Sequence, residues 1–375
     1  MRISLPTKAV GVAFALAALV GCAASGSQVP TVSQNASAPA ARGGHLPEPS
    51  LSMIALTNRE HLAPTMHADK GKSWMKPDAK NTQYLLYASD EPYGRVDVYA
   101  YKTKSGRLVG QLTGFKFPYG ECLDGSGNVY IADFAAADIV EYAHGGTSPI
   151  KTISDSYGYP IGCSVDPKTG NLAVANFEGL GSTCMGGIVV YANASGSGTL
   201  YQDSDFDYYW PPGYDPQGNL YVEGAQNETG GTTGVAMIAA GGTQLVTVPL
   251  TGGTIVFPGG MQWDGHYVAA TDQSYQAGNS SAIYRVSITP SEAKIFDATE
   301  LTDKCYKGSV PYNDIVQPWI NGTNHPFHAV VAGNLACDNR YDYWNYFKGG
   351  DPKRNISYNI APLLSYGQTV SPLKR

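Results

Sequence analysis

The chain has 375 residues, with 25 basic against 31 acidic side chains and a formal net charge of −6. An acidic chain without a basic stripe argues against nucleic acid and against charge-driven docking on anionic lipid. Only 15% of residues are charged while Gly (44) and Tyr (26) are abundant, a balance that suits short strands and tight turns and leaves helix a minor part.

Arg2 and Lys8 flank the start of a short apolar run, Ala9 to Leu19, and small residues then lead to Cys22. The run is too short to span a bilayer and has the layout of a secretory signal. Leu19-Val20-Gly21-Cys22 resembles the bacterial lipobox. The resemblance implies removal of residues 1–21 and acylation of Cys22, so that lipid holds the mature chain on the exported side of an envelope membrane. The other reading makes Cys22 an ordinary cysteine near a conventional cleavage site. Cleavage removes Arg2 and Lys8 and no acid, which moves the charge from −6 to −8. Residues 22–50 are rich in Ala, Ser, Gly, Gln and Pro and read as a flexible tether. Residues 51–80 read as a strap into the domain, and 81–375 as the domain itself.

Within that domain one pattern recurs. Asp124-Gly125-Ser126-Gly127-Asn128 opens into Val129–Asp133, and Asp166 to Asn171 into Leu172–Asn176. Asp215 to Asn219 opens into Leu220–Gly224, and Asp264-Gly265-His266 into Tyr267–Asp272. Each is a turn that admits positive φ followed by a β-branched or aromatic strand. A further apolar strand follows each copy, and Tyr99, Tyr142, Tyr191, Ile238, Val286 and Tyr346 mark equivalent places in six copies, at steps of 43, 49, 47, 48 and 60 residues. A period in the forties with four short strands per unit is the size of a propeller blade. The expected fold is therefore all-β, a six-bladed β-propeller. The chain enters in mid-repeat at Tyr84–Asp90 and leaves in mid-repeat at Tyr366–Ser371, which matches the first strands Tyr119–Asp124 and Ile161–Asp166. Pairing of the two ends would complete one blade and hide the edges that an open array exposes.

The Pro-x-Gly entry strand, the Asp-x-x-Gly-Asn turn and the strand ending Ala132-Asp133 resemble NHL-type repeats. The wider group of such six-bladed propellers includes gluconolactonase-like enzymes. That likeness implies a metal held by Glu, Asn and Asp on inner strands, and the full set is not found here.

Length variation gathers on one face, in the second-to-third loops Phe177–Gly187, Ala225–Gly234 and Gln273–Ala282 and in the links 201–211 and 297–314. Lengthened loops on a rigid rim are where binding groups collect, so any site is expected there, at the mouth of the central channel. The link Tyr201–Trp210 is the best single stretch. Asp203, Asp205 and Asp207 alternate as Ca²⁺ ligands would, and Tyr209 and Trp210 could stack on a sugar ring or enter a partner's pocket. It fails the calcium-loop pattern, and the structural alternative is an acidic link whose aromatics pack between blades. Glu121, on an innermost strand, is a lone channel carboxylate suited to ligand or proton chemistry. Asp90, Asp133, Asn176 and Asp272 recur at one place per blade, as capping residues do. His325 and His328 fall in a Pro-containing turn and read as surface. For the cysteines, Cys305 with Cys337 and Cys163 with Cys184 are the pairings considered, with Cys122 left free.

Two functions follow. The first is an envelope-anchored binding or scaffold module that recognises a protein or glycan through the long-loop face, monomeric and without a cofactor. The second is a metal-dependent lactonase-like hydrolase with its site at the channel mouth.

Overall fold

A computed structural model describes residues 71–101, 106–180, 185–227, 231–275, 280–302, 315–321, 329–333, 340–357 and 366–374. The signal segment, Cys22, the tether, Cys184, His325, His328, Cys305 and Cys337 lie outside these residues. Among the described residues no helix is long and apolar enough to cross a membrane.

Six sheets, antiparallel but for one outer-edge pair, stand in a ring, and the fold is a β-propeller. Blade 2 has Pro118–Leu123, Val129–Asp133, Asp138–Tyr142 and Pro149–Ser154, counted from the axis outward. Blade 3 has Gly158–Val165, Leu172–Gly179, Gly187–Tyr191 and Thr199–Tyr201. In blade 4 the first strand is broken by Pro211 and Pro212, which have no N–H to give a ladder. Its two pieces, Tyr208–Tyr209 and Gly213–Tyr214, both pair with Leu220–Ala225, and Thr233–Ile238 and Val246–Val248 follow. Blade 5 runs Pro258–Trp263, Val268–Tyr275, Ser280–Thr289, Glu292–Leu301, with Leu250–Thr251 added in parallel at its outer edge. Blade 6 has Trp319–Asn321, Ala329–Gly333, Arg340–Asn345 and Arg354–Ser357.

Blade 1 takes strands from both ends of the domain. Gln368–Pro372 lies innermost and pairs with Tyr84–Asp90, Leu86 opposite Val370. Arg95–Ala100 and Arg107–Thr113 continue outward, and Trp74–Met75 adds a fifth strand at the outer edge. The folded body thus begins before residue 81. Three side chains fasten the closure. His144 of blade 2 donates from Nε2 to the Thr82 carbonyl at 2.8 Å, and its Nδ1 lies 2.7 Å from Ser371 Oγ. Ser371 Oγ also donates to the Gly127 carbonyl, and the Gly145 amide donates to Tyr87 Oη.

Each sheet is covered on both faces by its neighbours, so second strands are apolar on both sides: Leu85, Leu86, Tyr87 and Ala88 are all fully buried. Outer strands return to alternation, as in Glu292–Leu301, where Ala293 and Ile295 are buried and Lys294 and Phe296 are exposed. The recurring turns owe their shape to one residue each. Asp124 Oδ1 accepts from the Ser126 and Asn128 amides, Asp215 Oδ1 from Gln217 and Asn219, and Asp264 Oδ1 from His266 and Tyr267, all within 3.0 Å. The glycines of these turns sit at φ of 89° (Gly127), 87° (Gly218) and 100° (Gly265), where a Cβ would be strained.

Candidate site in the central channel

The inner strands of all six blades line one cavity of about 170 Å³. Its walls use the second halves of those strands, including Cys122–Leu123, Ser164–Val165, Met261–Gln262 and Pro318–Ile320. Leu123, Val165 and Gln262 lie just before or near the Asp turns. The cavity therefore runs toward the face of the tight turns, away from the long loops. On the long-loop side the axis is packed shut. Tyr119, Ile161, Trp210, Val316 and Tyr366, from five different blades, are at most 2% exposed and belong to one apolar cluster. Tyr119 and Tyr366 stack at 4.7 Å between centroids, 5° from parallel.

Between plug and cavity the strands converge on a narrow waist. Four residues before each turn, or at the matching place, stand Gly120, Gly162, Pro211, Gly260, Gln317 and Gly367. A Cβ on Gly120 would collide with the Ile161 carbonyl and the Gln317 amide, and one on Gly162 would come within 2.6 Å of Pro211. Glycine is thus required by close approach. Gln317, at φ 42°, fills the centre: its side chain lies against Gly120 and Gly162, its amide donates to the Gly259 carbonyl at 3.2 Å, and its own carbonyl accepts from Gln368 Nε2. The waist is further tied by the Met261 amide donating to the Pro211 carbonyl at 2.8 Å.

Glu121 lines this cavity at the waist and is 4% exposed. Ser89 Oγ donates to its Oε1 at 2.7 Å, while Oε2, beside Gly367, has no hydrogen-bond partner. Burial pushes its carboxyl up to about 8, opposed by the Ser89 hydroxyl and amide. Gln317 Oε1 likewise has no partner. Glu121 is the only carboxylate among the lining residues. Among the described residues no three His, Cys, Asp or Glu side chains gather as metal ligands would.

The other predicted site residues do not join Glu121. Phe206, Tyr208, Tyr209 and Trp210 are buried in the apolar cluster, and Trp210 meets Phe177 edge-on at 5.4 Å. Tyr209 and Trp210 therefore present no ring to a ligand. The reason is that this stretch is not link but strand: Tyr208 and Tyr209 pair with Ala225 and Gly224, and the Trp210 amide donates to the Glu223 carbonyl, which sets the rings among the inner strands. Asp203 is a local organiser: Oδ1 accepts from the Asp205 amide at 3.0 Å, Oδ2 from the Thr247 amide at 2.8 Å, and its own amide donates to Tyr209 Oη at 2.7 Å. Asp205 is exposed and Asp207 half-buried. The recurrent second-strand residues are structural. Asp133 accepts from the Lys116 and Phe117 amides and Asp272 from Val256, Phe257 and Ser274, tying each incoming link to its blade. In blade 3 the task is shared, Asn176 donating to Asp155.

The cysteine pairing is corrected. Cys122 bonds to Cys163 (Cα–Cα 5.5 Å), joining the inner strands of blades 2 and 3 beside the cavity, so Cys122 is not free and Cys163 does not pair with Cys184. Neighbouring residues of a strand face opposite ways. Glu121 points back to Ser89 of blade 1, so Cys122 points forward, and Cys163, which matches Glu121 in the repeat, points back to meet it. The overlooked signal is a spacing of 41, one short of the 42 that separates Asp124 from Asp166.

No family model matches the chain, and no curated protein matches it in sequence. Solved structures do. A chain of a nidogen/laminin complex aligns over 78% of this chain and 100% of its own, at TM-score 0.57 and 13% identity. A protein of unknown function from Bacteroides caccae covers 77% and 99%, at TM-score 0.53 and 11% identity. A β-propeller domain from Myceliophteria thermophila covers 80% and 88%, at 0.50 and 10%. The likeness is one of fold.

Proposed function

We propose that the chain is an envelope lipoprotein of NHL-like propeller type, anchored through Cys22, whose propeller is a binding scaffold for a protein or glycan. The observation that supports this over hydrolysis is the channel itself. A metal-dependent lactonase needs several convergent ligands, whereas one carboxylate lines the described cavity and an apolar plug separates it from the long-loop face. The surface left for recognition is then the rim. At the long-loop end of blade 3, Leu180 and Met185 are 37% and 41% exposed, and Asp205 is exposed in the link that follows. A mixed apolar and acidic rim of this kind suits a partner more than it suits bulk water. One chain resembling this one in fold was crystallised as part of a nidogen/laminin complex, which is compatible with the reading.

The test places a photo-crosslinking residue at Met185 and, as control, at Ser126 on the opposite face, in cells that express the full chain. One discrete adduct from position 185 and none from 126 is the expected result. Equal labelling from both would defeat the rim assignment. Stoichiometric Ca²⁺ or Zn²⁺ that survives dialysis would favour the hydrolase instead. Cys22→Ser should release the protein from the membrane fraction.

A further inference from the structure

We infer that the cavity beneath the waist is a site for a small organic ammonium ion, its cationic head held by Glu121 and Gln317 and its apolar body directed toward the tight-turn face. This goes beyond the rim scaffold and does not depend on it. Three features point to that chemistry.

First, the floor of the cavity offers two acceptor oxygens without partners, Glu121 Oε2 and Gln317 Oε1, on side chains 4% and 9% exposed. Both lie against the same pair of touching glycines: Gln317 Oε1 over Gly120, and Glu121 Oε2 over Gly367, whose missing Cβ would abut Gly120 Cα. A buried acceptor left unmatched loses its hydration with nothing in exchange, and an ammonium group supplies three N–H donors from one atom. Second, the charge balance is one-sided. The lining has a carboxylate and no basic residue. The charged groups on the strands around Glu121 are engaged elsewhere. Arg95 pairs with Asp90 at 2.8 Å and with Asp97 at 3.3 Å, Glu91 accepts from the Tyr366 amide, and Asp133 accepts from two link amides. The Gln368–Pro372 strand has no ionisable residue, and in Gly158–Val165 Tyr159 stacks on Phe134 at 5.0 Å and Cys163 is held in a disulfide. Third, the walls above the floor set apolar side chains, Leu123, Val165, Pro212, Met261 and Ile320, beside polar but uncharged ones, Ser164, Gln262, Thr271 and Thr369. At about 170 Å³ the space is below the common range for drug-sized ligands. That size admits a short alkyl or arylalkyl amine.

Binding must take a proton off the floor. Glu121 is held neutral by burial up to about pH 8, and it accepts an ammonium ion as a carboxylate. So R–NH₃⁺ plus the Glu121 acid gives the ion pair and one free H⁺. Affinity should therefore rise with pH, up to tenfold per unit, and level off near pH 8.

The experiment is calorimetric titration of the purified full chain with phenethylammonium at pH 6, 7 and 8, in two buffers of different ionisation enthalpy. The neutral isostere 2-phenylethanol serves as control. Saturable one-to-one binding that tightens about 50-fold from pH 6 to 8, with release of close to one proton at pH 6 and about half of one at pH 8, and at least tenfold weaker binding of the alcohol, would support the assignment. Glu121→Gln, which keeps the Ser89 bond, should lose the pH dependence and at least tenfold in affinity while unfolding as a single cooperative unit. The inference is overturned by absence of saturation at millimolar ligand, by equal binding of the alcohol, or by binding to wild type that does not vary with pH. Displacement of the amine by Ca²⁺ at equal concentration would also overturn it, since that would mark the floor as a metal site.

Discussion

Glu121 is a neutral acid in the folded chain at pH 7, because burial lifts it to about 8 while its ordinary value is 4.5. The raised pKa gives stability that is fully present below about pH 4.5 and is lost as pH climbs through 8, since the unfolded chain ionises freely and the native one does not. Glu121→Gln replaces the acid by an amide that cannot ionise. In urea titrations the variant should match wild type near pH 4 and exceed it at pH 8 by at least about 1 kcal/mol, close to the free energy of a tenfold change in acidity. A gap of the same size at both pH values would mean that the carboxyl is not titrating. Individual residues are unevenly readable from the sequence. Glu121 is recognisable because it stands alone on an inner strand. Gln317 is not, although it takes a place held by glycine in four of the blades, because blade 6 has the least regular repeat. Tyr209 and Trp210 mislead, since an aromatic run beside three carboxylates has the same composition whether its rings face ligand or core.

At the level of elements, the Asp turn is the repeating device. Asp215 is 4% exposed and accepts from the Gln217 and Asn219 amides, Asn219 Nδ2 and Tyr221 Oη, all at 2.8–2.9 Å. Asp215→Ala leaves those donors unmatched in a partly buried turn and should cost about 1–3 kcal/mol. Asp205→Ala, at an exposed link position, should stay within about 0.5 kcal/mol. Denaturation midpoints at unchanged slope would separate the two, and equal effects would contradict the roles given them. The turns can be found from sequence because their chemistry is local, an acid followed within five residues by the amides that it caps. The Cys122–Cys163 bond cannot be found in that way, because it depends on which face of a strand each residue takes in two different sheets. It closes a 41-residue separation, for which chain entropy gives a stabilisation of about 2–4 kcal/mol. Cys122→Ser with Cys163→Ser should lower stability by that amount, and reducing agent should do the same to wild type while leaving the double variant unchanged.

The folded body is a ring, and its sixfold period is visible in six equivalent places, Tyr99, Tyr142, Tyr191, Ile238, Val286 and Tyr346, the last after a longer step. The termini show themselves as two incomplete repeats, and the pairing of Tyr84–Asp90 with Gln368–Pro372 fits those two fragments together. The direction in which the channel opens is hidden, because it follows from how bulky residues such as Tyr119, Trp210 and Tyr366 meet at the axis, and spacing along a strand carries no information on that meeting. A chain ending at residue 365 lacks the innermost strand of blade 1 and the Ser371 contacts to His144 and Gly127. It should elute as aggregates in size-exclusion chromatography and show no sharp melting transition. A monomeric, cooperatively melting product would mean that the ring holds without its last strand.

Gln368–Pro372 is made after every other strand of the ring. While a ribosome is still working on residue 365, blade 1 has its outer strands but nothing against the axis, and the plug lacks Tyr366. No order of synthesis from the amino end can finish the first blade early. A nonsense codon at position 366 should thus be as harmful to the bearer as one that deletes an entire blade, although it spares every strand of the ring but one.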